Sequence, residues 1–408
     1  MIDLERPVNL NSPEFVNNKW QWLERIREEK PVHKAKISVL TLYTVARYED
    51  CTNILKDPRV VRNRATAIGR GGRFPFPLPK SVKAISESMI TEDDPNHRRL
   101  RELVRRAFRP QEIQRIEHRI EQYSHELLDT LPEHFDLQSQ YALPIPVRMI
   151  SDMMGVTGEE MVQFQQLFGV LTEGFSGLRM LRTFVFDMPE SVKFVRELVR
   201  KKRENPAEDI LTGLIQAEAD GDCLSEDEIV AMVFLLVIAG FETTVHLITN
   251  GVATLLEHPD QLERLRADPK LIDSAVEEIL RHRGPVQGTK PQYACEDITL
   301  HGVTIPKGKP IMPLLGAANH DPRVFADPLK FDIARSPNHH LGFGHGVHFC
   351  MGAHLARAEA RIALRNLIER FPDLQLAVKA SELEFQRMPG WHRYTQLPVA
   401  VRRARAAA

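Results

Sequence analysis

Apolar residues recur every three or four positions along most of the chain. This period predicts helices over 110–131, 158–171, 189–204, 225–257, 259–266, 270–281 and 352–370. Alternation with a period of two is scarce, and strands are expected only at 38–47, 297–305, 310–315 and 397–401. The fold class is therefore mainly α with small β-sheets. The helix at 225–257 opens on Ser225-Glu-Asp-Glu228, a capping box, and would extend about 48 Å. It is apolar on every side from Met232 to Ile238, as suits a helix crossing a core. Two segments break the pattern. RGGRFPFPLPK at 70–80 alternates proline with bulky apolar residues and reads as an extended loop. GFSGLRMLRTFVFDMP at 174–189 separates two helices, and apolar loops of this kind are often binding elements.

Neither an internal repeat nor a linker divides the 408 residues, so a single domain spanning 1–408 is expected. Lys and Arg number 54 against 55 Asp and Glu. A net charge of -1 excludes a global basic field for nucleic acid or an anionic membrane. The opening MIDLERPVNL has no basic region followed by an apolar stretch, so neither a secretory signal nor an anchor is expected. The longest apolar run, 229–241, is shorter than the roughly 18 residues of a bilayer span. Cys51, Cys223, Cys295 and Cys350 form no CxxC pair, which argues against a disulfide framework. A soluble, monomeric, cytoplasmic protein is the expectation.

Chemistry concentrates at 339–357, HHLGFGHGVHFCMGAHLAR. Glycines before Cys350 permit a tight bend, and the apolar residues after Gly352 begin a helix. A cysteine at a helix N-terminus favours the thiolate. Such a sulfur could be a nucleophile with His345, His348 or His354 as base. It could join those histidines on zinc, or serve as an axial ligand to iron.

The pattern Phe343-x-x-Gly346-x-x-x-Cys350-x-Gly352 resembles the haem-ligand signature of the cytochrome P-450 family, in which a Cys thiolate holds the iron. Other segments match the same family in order. The resemblance implies the cytochrome P-450 fold, with haem b between a long central helix and the Cys-loop helix. Cys350 is then the metal ligand, with Phe343, Gly344 and Gly352 around the cofactor. Ala239-Gly-Phe-Glu-Thr-Thr244 resembles the oxygen-activation motif. Ala239 and Gly240 would widen a groove for haem, while Glu242 and Thr243 would organise proton delivery. DPNHRRLR at 94–101 is similar to the propionate-contacting helix, which gives that role to His97 and Arg101. His348 matches another propionate position. Glu278 and Arg281 resemble the ExxR pair, with Arg335 as its third member.

The resemblance departs at KPQYA, 290–294, where bacterial members often carry an Arg. Gln292 lacks the charge to neutralise a propionate, and Lys290 stands beside it as a substitute.

The activity implied is that of a monooxygenase which uses O2 to hydroxylate or otherwise oxidise a mainly apolar small molecule. Electrons would come from a separate ferredoxin or flavodoxin with its reductase, because no GxGxxG follows a strand. Family position makes Phe74, Phe76, Leu78, Phe175, Leu178, Leu236, Phe241, Val286 and Trp391 the pocket walls. Arg98, Arg99, Arg101, Arg105, Arg106 and Arg109 form either a solvated helix face or a docking face for an acidic partner. The alternative is a haem-thiolate protein that binds or senses ligands without turnover.

Overall fold

The structure is a computed structural model describing residues 3–69, 88–107, 110–173, 186–219 and 221–402. Helices dominate, and each helix expected from periodicity is present. They span Pro110–Thr130, Gly158–Glu173, Met188–Glu204, Glu226–Glu257, Pro259–Ala267, Ile272–Arg283 and Ala353–Arg370. By packing, the chain divides into two compact units. One comprises Met1–Gly69, Ile120–Pro144 and Thr243–Ala408; the other comprises Arg70–Arg119 and Ile145–Glu242.

The first unit carries the largest sheet among the described residues. Its strands run in the order Val8–Asn9, Val32–Ile37, Leu40–Val45, Pro310–Pro313, Gln292–Ala294 and Val60–Val61. Val32–Ile37 and Leu40–Val45 form a hairpin closed by two residues, and Ser38 takes the positive φ of 54° that so tight a turn demands. Leu42 and Val45 are buried with Ile311 and Met312 from the parallel neighbour. That pairing brings Tyr43 opposite Ile311, which fastens the N-terminal hairpin to the C-terminal third of the chain.

Three helices of this unit meet at Gly251. A Cβ built there would lie 3.2 Å from Ile279 Cδ1 and 3.2 Å from Leu364 Cδ1. The bare backbone thus admits side chains from the helices Ile272–Arg283 and Ala353–Arg370, and burying each of these is worth about 1.5–3 kcal/mol. Asn250 fixes the junction by donating from Nδ2 to the Arg283 carbonyl at 2.9 Å and the His392 carbonyl at 3.0 Å.

The helix Glu226–Glu257 is capped as the sequence predicts. Ser225 N donates to Glu228 Oε2 at 2.9 Å, and Glu228 N donates to Ser225 Oγ at 3.3 Å. By length and hydropathy this helix could cross a membrane, but 61 % of its most apolar window is buried in the protein, as in a core helix.

Candidate active site

Within the first unit, residues 341–352 form a bend whose glycines have identifiable reasons. Gly344 and Gly346 take φ of 75° and 72°. A Cβ on Gly346 would also stand 2.5 Å from the Leu55 carbonyl oxygen, because the turn Gly346–His348 packs on the helix Tyr48–Lys56. The bend closes when Cys350 N donates to the Phe343 carbonyl at 3.0 Å and Gly344 N to the Leu341 carbonyl at 2.8 Å. Gly352 caps the helix Ala353–Arg370, and Cys350 lies two residues before that cap, exposed. His348 ends the turn and is half-buried.

Arg357, one turn into the helix, governs the electrostatics of the bend. Its guanidinium lies 4.5 Å from the Phe343 ring centroid. It also grips Glu277 in two hydrogen bonds of 2.7 and 2.8 Å. These bonds, then the adjacent Glu277 charge and the Cys350 sulfur, raise the Arg357 pKa against the pull of burial. Burial works to raise the Glu277 pKa, but Arg357 and His340 prevail and hold it at about 2. A permanent cation therefore stands by the sulfur, the setting a thiolate requires.

Next to Glu277, Glu278 collects Arg281 and Arg335. Arg281 makes a bidentate pair at 2.8 Å through each nitrogen, and Arg335 Nε approaches at 3.1 Å. Asn338 Nδ2 and the Asp332 amide also donate to Glu278, at 3.2 and 3.0 Å. Arg281 Nη1 continues to the Asn319 and Pro328 carbonyls at 2.9 and 2.8 Å, so one network fastens the approach to the Cys bend. Val286 and Trp391 meet in an isolated antiparallel bridge. Thr243 is half-buried on the long helix.

The other unit holds the remaining positions. His97 is buried on the helix Asn96–Ala107, with Nδ1 3.6 Å from Asp94 Oδ1. Burial and then the Arg101 charge lower its pKa, so His97 and Arg101 do share a face. Along the long helix Phe241 is buried, Leu236, Gly240 and Glu242 are half-buried, and Ala239 is exposed. A Cβ on Gly240 would lie 3.0 Å from Ile150 Cδ1. Phe74, Phe76, Leu78, Phe175 and Leu178 lie outside the described residues.

Arg98, Arg99 and Arg105 are less available than the sequence implied. Arg98 pairs with Asp94, Arg99 with Asp222 and Glu228, and Arg105 with Glu102. Three of the six charges considered for docking are thus matched by acids.

Sequence reasoning missed Glu277, Arg357 and Glu359. Glu359 is 1 % exposed, and neither carboxyl oxygen meets a hydrogen-bond partner. Burial pushes its pKa up to about 8; the Thr244 hydroxyl offsets this in part without closing a bond onto either oxygen. A signal was present: Glu359 falls on the buried stripe with Ile362, Ala363 and Asn366, where a charge is out of place.

The donor set decides between the readings left open above. Among the described residues no three His, Cys, Asp or Glu side chains converge to hold a metal ion, which removes the zinc reading. A single exposed sulfur on a glycine bend beside a fixed cation suits haem, which needs one thiolate from the protein. The fold and this bend define a haem-thiolate oxidoreductase. Residues 133–383 match the Cytochrome P450 family model. The chain is 36 % identical over 394 residues to polyketide biosynthesis cytochrome P450 PksS of Bacillus subtilis (strain 168), covering 95 % of this chain and 97 % of that protein. It is 39 % identical over 382 residues to cytochrome P450 107B1 of Saccharopolyspora erythraea, covering 91 % and 92 %. The solved structure of PksS superposes with a TM-score of 0.89 at 35 % identity, covering 97 % of this chain and 99 % of that one. The chain belongs to the cytochrome P450 family. It is a monooxygenase that binds haem b, and its relatives use O2 and a redox partner to act on small organic molecules.

Proposed function

We propose that this protein oxidises a mainly apolar small molecule with O2, most simply by hydroxylation, in the cytoplasm. Electrons come from a separate ferredoxin or flavodoxin and its reductase. The Cys350 bend carries this reading, because its backbone leaves one sulfur exposed next to Arg357. Haem b, when bound, would supply the iron chemistry that activates O2, and the Cys350 sulfur would be the protein's ligand to it. Phe343, Gly344 and Gly352 shape the bend, while Ala239 and Gly240 present a small-residue surface on the long helix. His97, Arg101 and His348 hold propionates. The Glu278, Arg281 and Arg335 network keeps the bend in place.

Glu242 takes up a proton through its carboxylate and Thr243 Oγ1 donates it inward, so that electrons and protons arrive together. Val286 and Trp391, which meet in one antiparallel bridge, wall an apolar guest. The name of PksS places that relative in polyketide biosynthesis, which makes a reduced polyketide-like skeleton the first substrate class to examine.

The test is turnover of the holoprotein with surrogate ferredoxin and reductase across a panel of polyketide, fatty-acid and terpenoid compounds. Isotopically heavy O2 should label the product at one oxygen. Thr243→Ala should keep the haem spectrum but consume electrons without matching product. Unchanged coupling in that variant would refute the proton relay.

A further inference from the structure

The bridge between Val286 and Trp391 is fastened from a distant part of the chain. Its own backbone closes it on both flanks: His392 N donates to the Pro285 carbonyl at 2.9 Å, and Gln287 N to the Gly390 carbonyl at 2.8 Å. The Trp391 carbonyl is taken by a side chain. Lys19 Nζ donates to it at 2.6 Å from the first position of the helix Lys19–Glu29. The indole of the same residue carries the Arg393 guanidinium, 3.8 Å from the ring centroid. Val286 and Trp391 are both half-buried, so this wall keeps surface for a guest.

Lys19 is poorly placed for an ammonium. It is 7 % exposed, and burial, followed by the Arg283 charge, lowers its pKa to about 7. It also stands at the positive end of a helix whose first turn holds no acid. Desolvation, a neighbouring cation and the helix dipole thus all act against one charge. What that charge gains is the bond to Trp391, which ties the N-terminal helix to the wall.

We propose that Lys19 is a positioning residue: by holding the Trp391 carbonyl it fixes where the indole stands against a bulky apolar guest. This inference rests on the reading of Trp391 as a pocket wall, and the experiment separates the two.

Binding of clotrimazole, a bulky apolar azole, and of imidazole itself is followed through the haem spectrum of the holoprotein. The wild type, Lys19→Met, Trp391→Ala and the double variant are compared, with thermal denaturation of each. Lys19→Met keeps the apolar stem and removes the donor. It should bind clotrimazole roughly tenfold more weakly, as expected for one charge-assisted bond, and imidazole unchanged. It should melt no lower than the wild type, because the buried charge is gone. In the Trp391→Ala background the same substitution should have no further effect on clotrimazole. Equal clotrimazole affinity in the wild type and Lys19→Met would overturn the proposal. So would additive effects of the two substitutions, which would mean that Lys19 acts elsewhere. A Lys19→Met protein that melts several degrees lower and weakens both azoles alike would make Lys19 a structural post only. If Trp391→Ala alone leaves clotrimazole binding intact, the wall reading fails and takes the inference with it. A wild type whose spectrum does not respond to imidazole would instead sink the haem-thiolate reading.

Discussion

Glu278 and Glu359 are the same side chain, 0 % and 1 % exposed, on two helices that pack together in one unit. Around Glu278, two guanidiniums, an amide side chain and a backbone N–H converge. Around Glu359 no donor closes on either oxygen, and its carboxyl is raised to about 8. Burial is equal, so burial does not decide what a carboxylate does. The donors do: the first acid is a structural tie and the second is a neutral side chain that retains its proton at pH 7.

The largest effect should come from removing the tie. Glu278→Gln leaves the buried Arg281, and the half-buried Arg335 beside it, without a counter-charge, and breaking a buried pair typically costs about 3–5 kcal/mol. We expect little or no folded holoprotein, measured by thermal denaturation together with the haem spectrum. A variant melting within a few degrees of the wild type would erase the contrast.

The matching change at the other acid should be mild at pH 7, because Gln imitates a protonated Glu. Its signature is in the pH dependence. The folded pKa of Glu359 lies above its ordinary value of 4.5, so the native state holds a proton that the unfolded state releases. The stability gained is complete below pH 4.5 and is lost as pH rises toward 8. Glu359→Gln should therefore remove a downward slope of up to about 1.4 kcal/mol per pH unit in that window. Parallel stability curves for the two proteins would show that Glu359 is ionised after all.

Buried histidines give the opposite slope and a smaller effect in the accessible range. Burial, followed by the Arg393 charge, lowers His246 from 6.5 to about 3. The unfolded chain then takes up a proton below pH 6.5 that the native state refuses, so stability falls with acidity through this window. His246→Leu should soften the loss of melting temperature between pH 6.5 and 5. An unchanged acid limb would assign it to other buried histidines, such as His320, which burial lowers to about 3.

Helices were legible because their stabilisation is local. The predicted 259–266 appears as Pro259–Ala267, and the predicted 352–370 as Ala353–Arg370. Strands were legible too, the predicted 38–47 and 310–315 appearing as Leu40–Val45 and Pro310–Pro313, but their pairing was not, because it is distant in sequence: nothing in Leu40–Val45 announces that Tyr43 will face Ile311. The strand Val32–Ile37 escaped notice because Lys34 and Lys36 occupy its outward positions and weaken the apolar signal. In the candidate site, residues with a fixed spacing were visible, as with Cys350 among its glycines. Arg357 and Glu277 meet across two helices, and no spacing within either one reports that.

The clearance at Gly346 limits how such a bend can change over time. What faces it is the main-chain oxygen of residue 55, an atom common to all twenty amino acids. No exchange of residue 55 can therefore make room for a larger neighbour at 346. Descendants of this gene can enlarge that position only by shifting the main chain that carries residue 55.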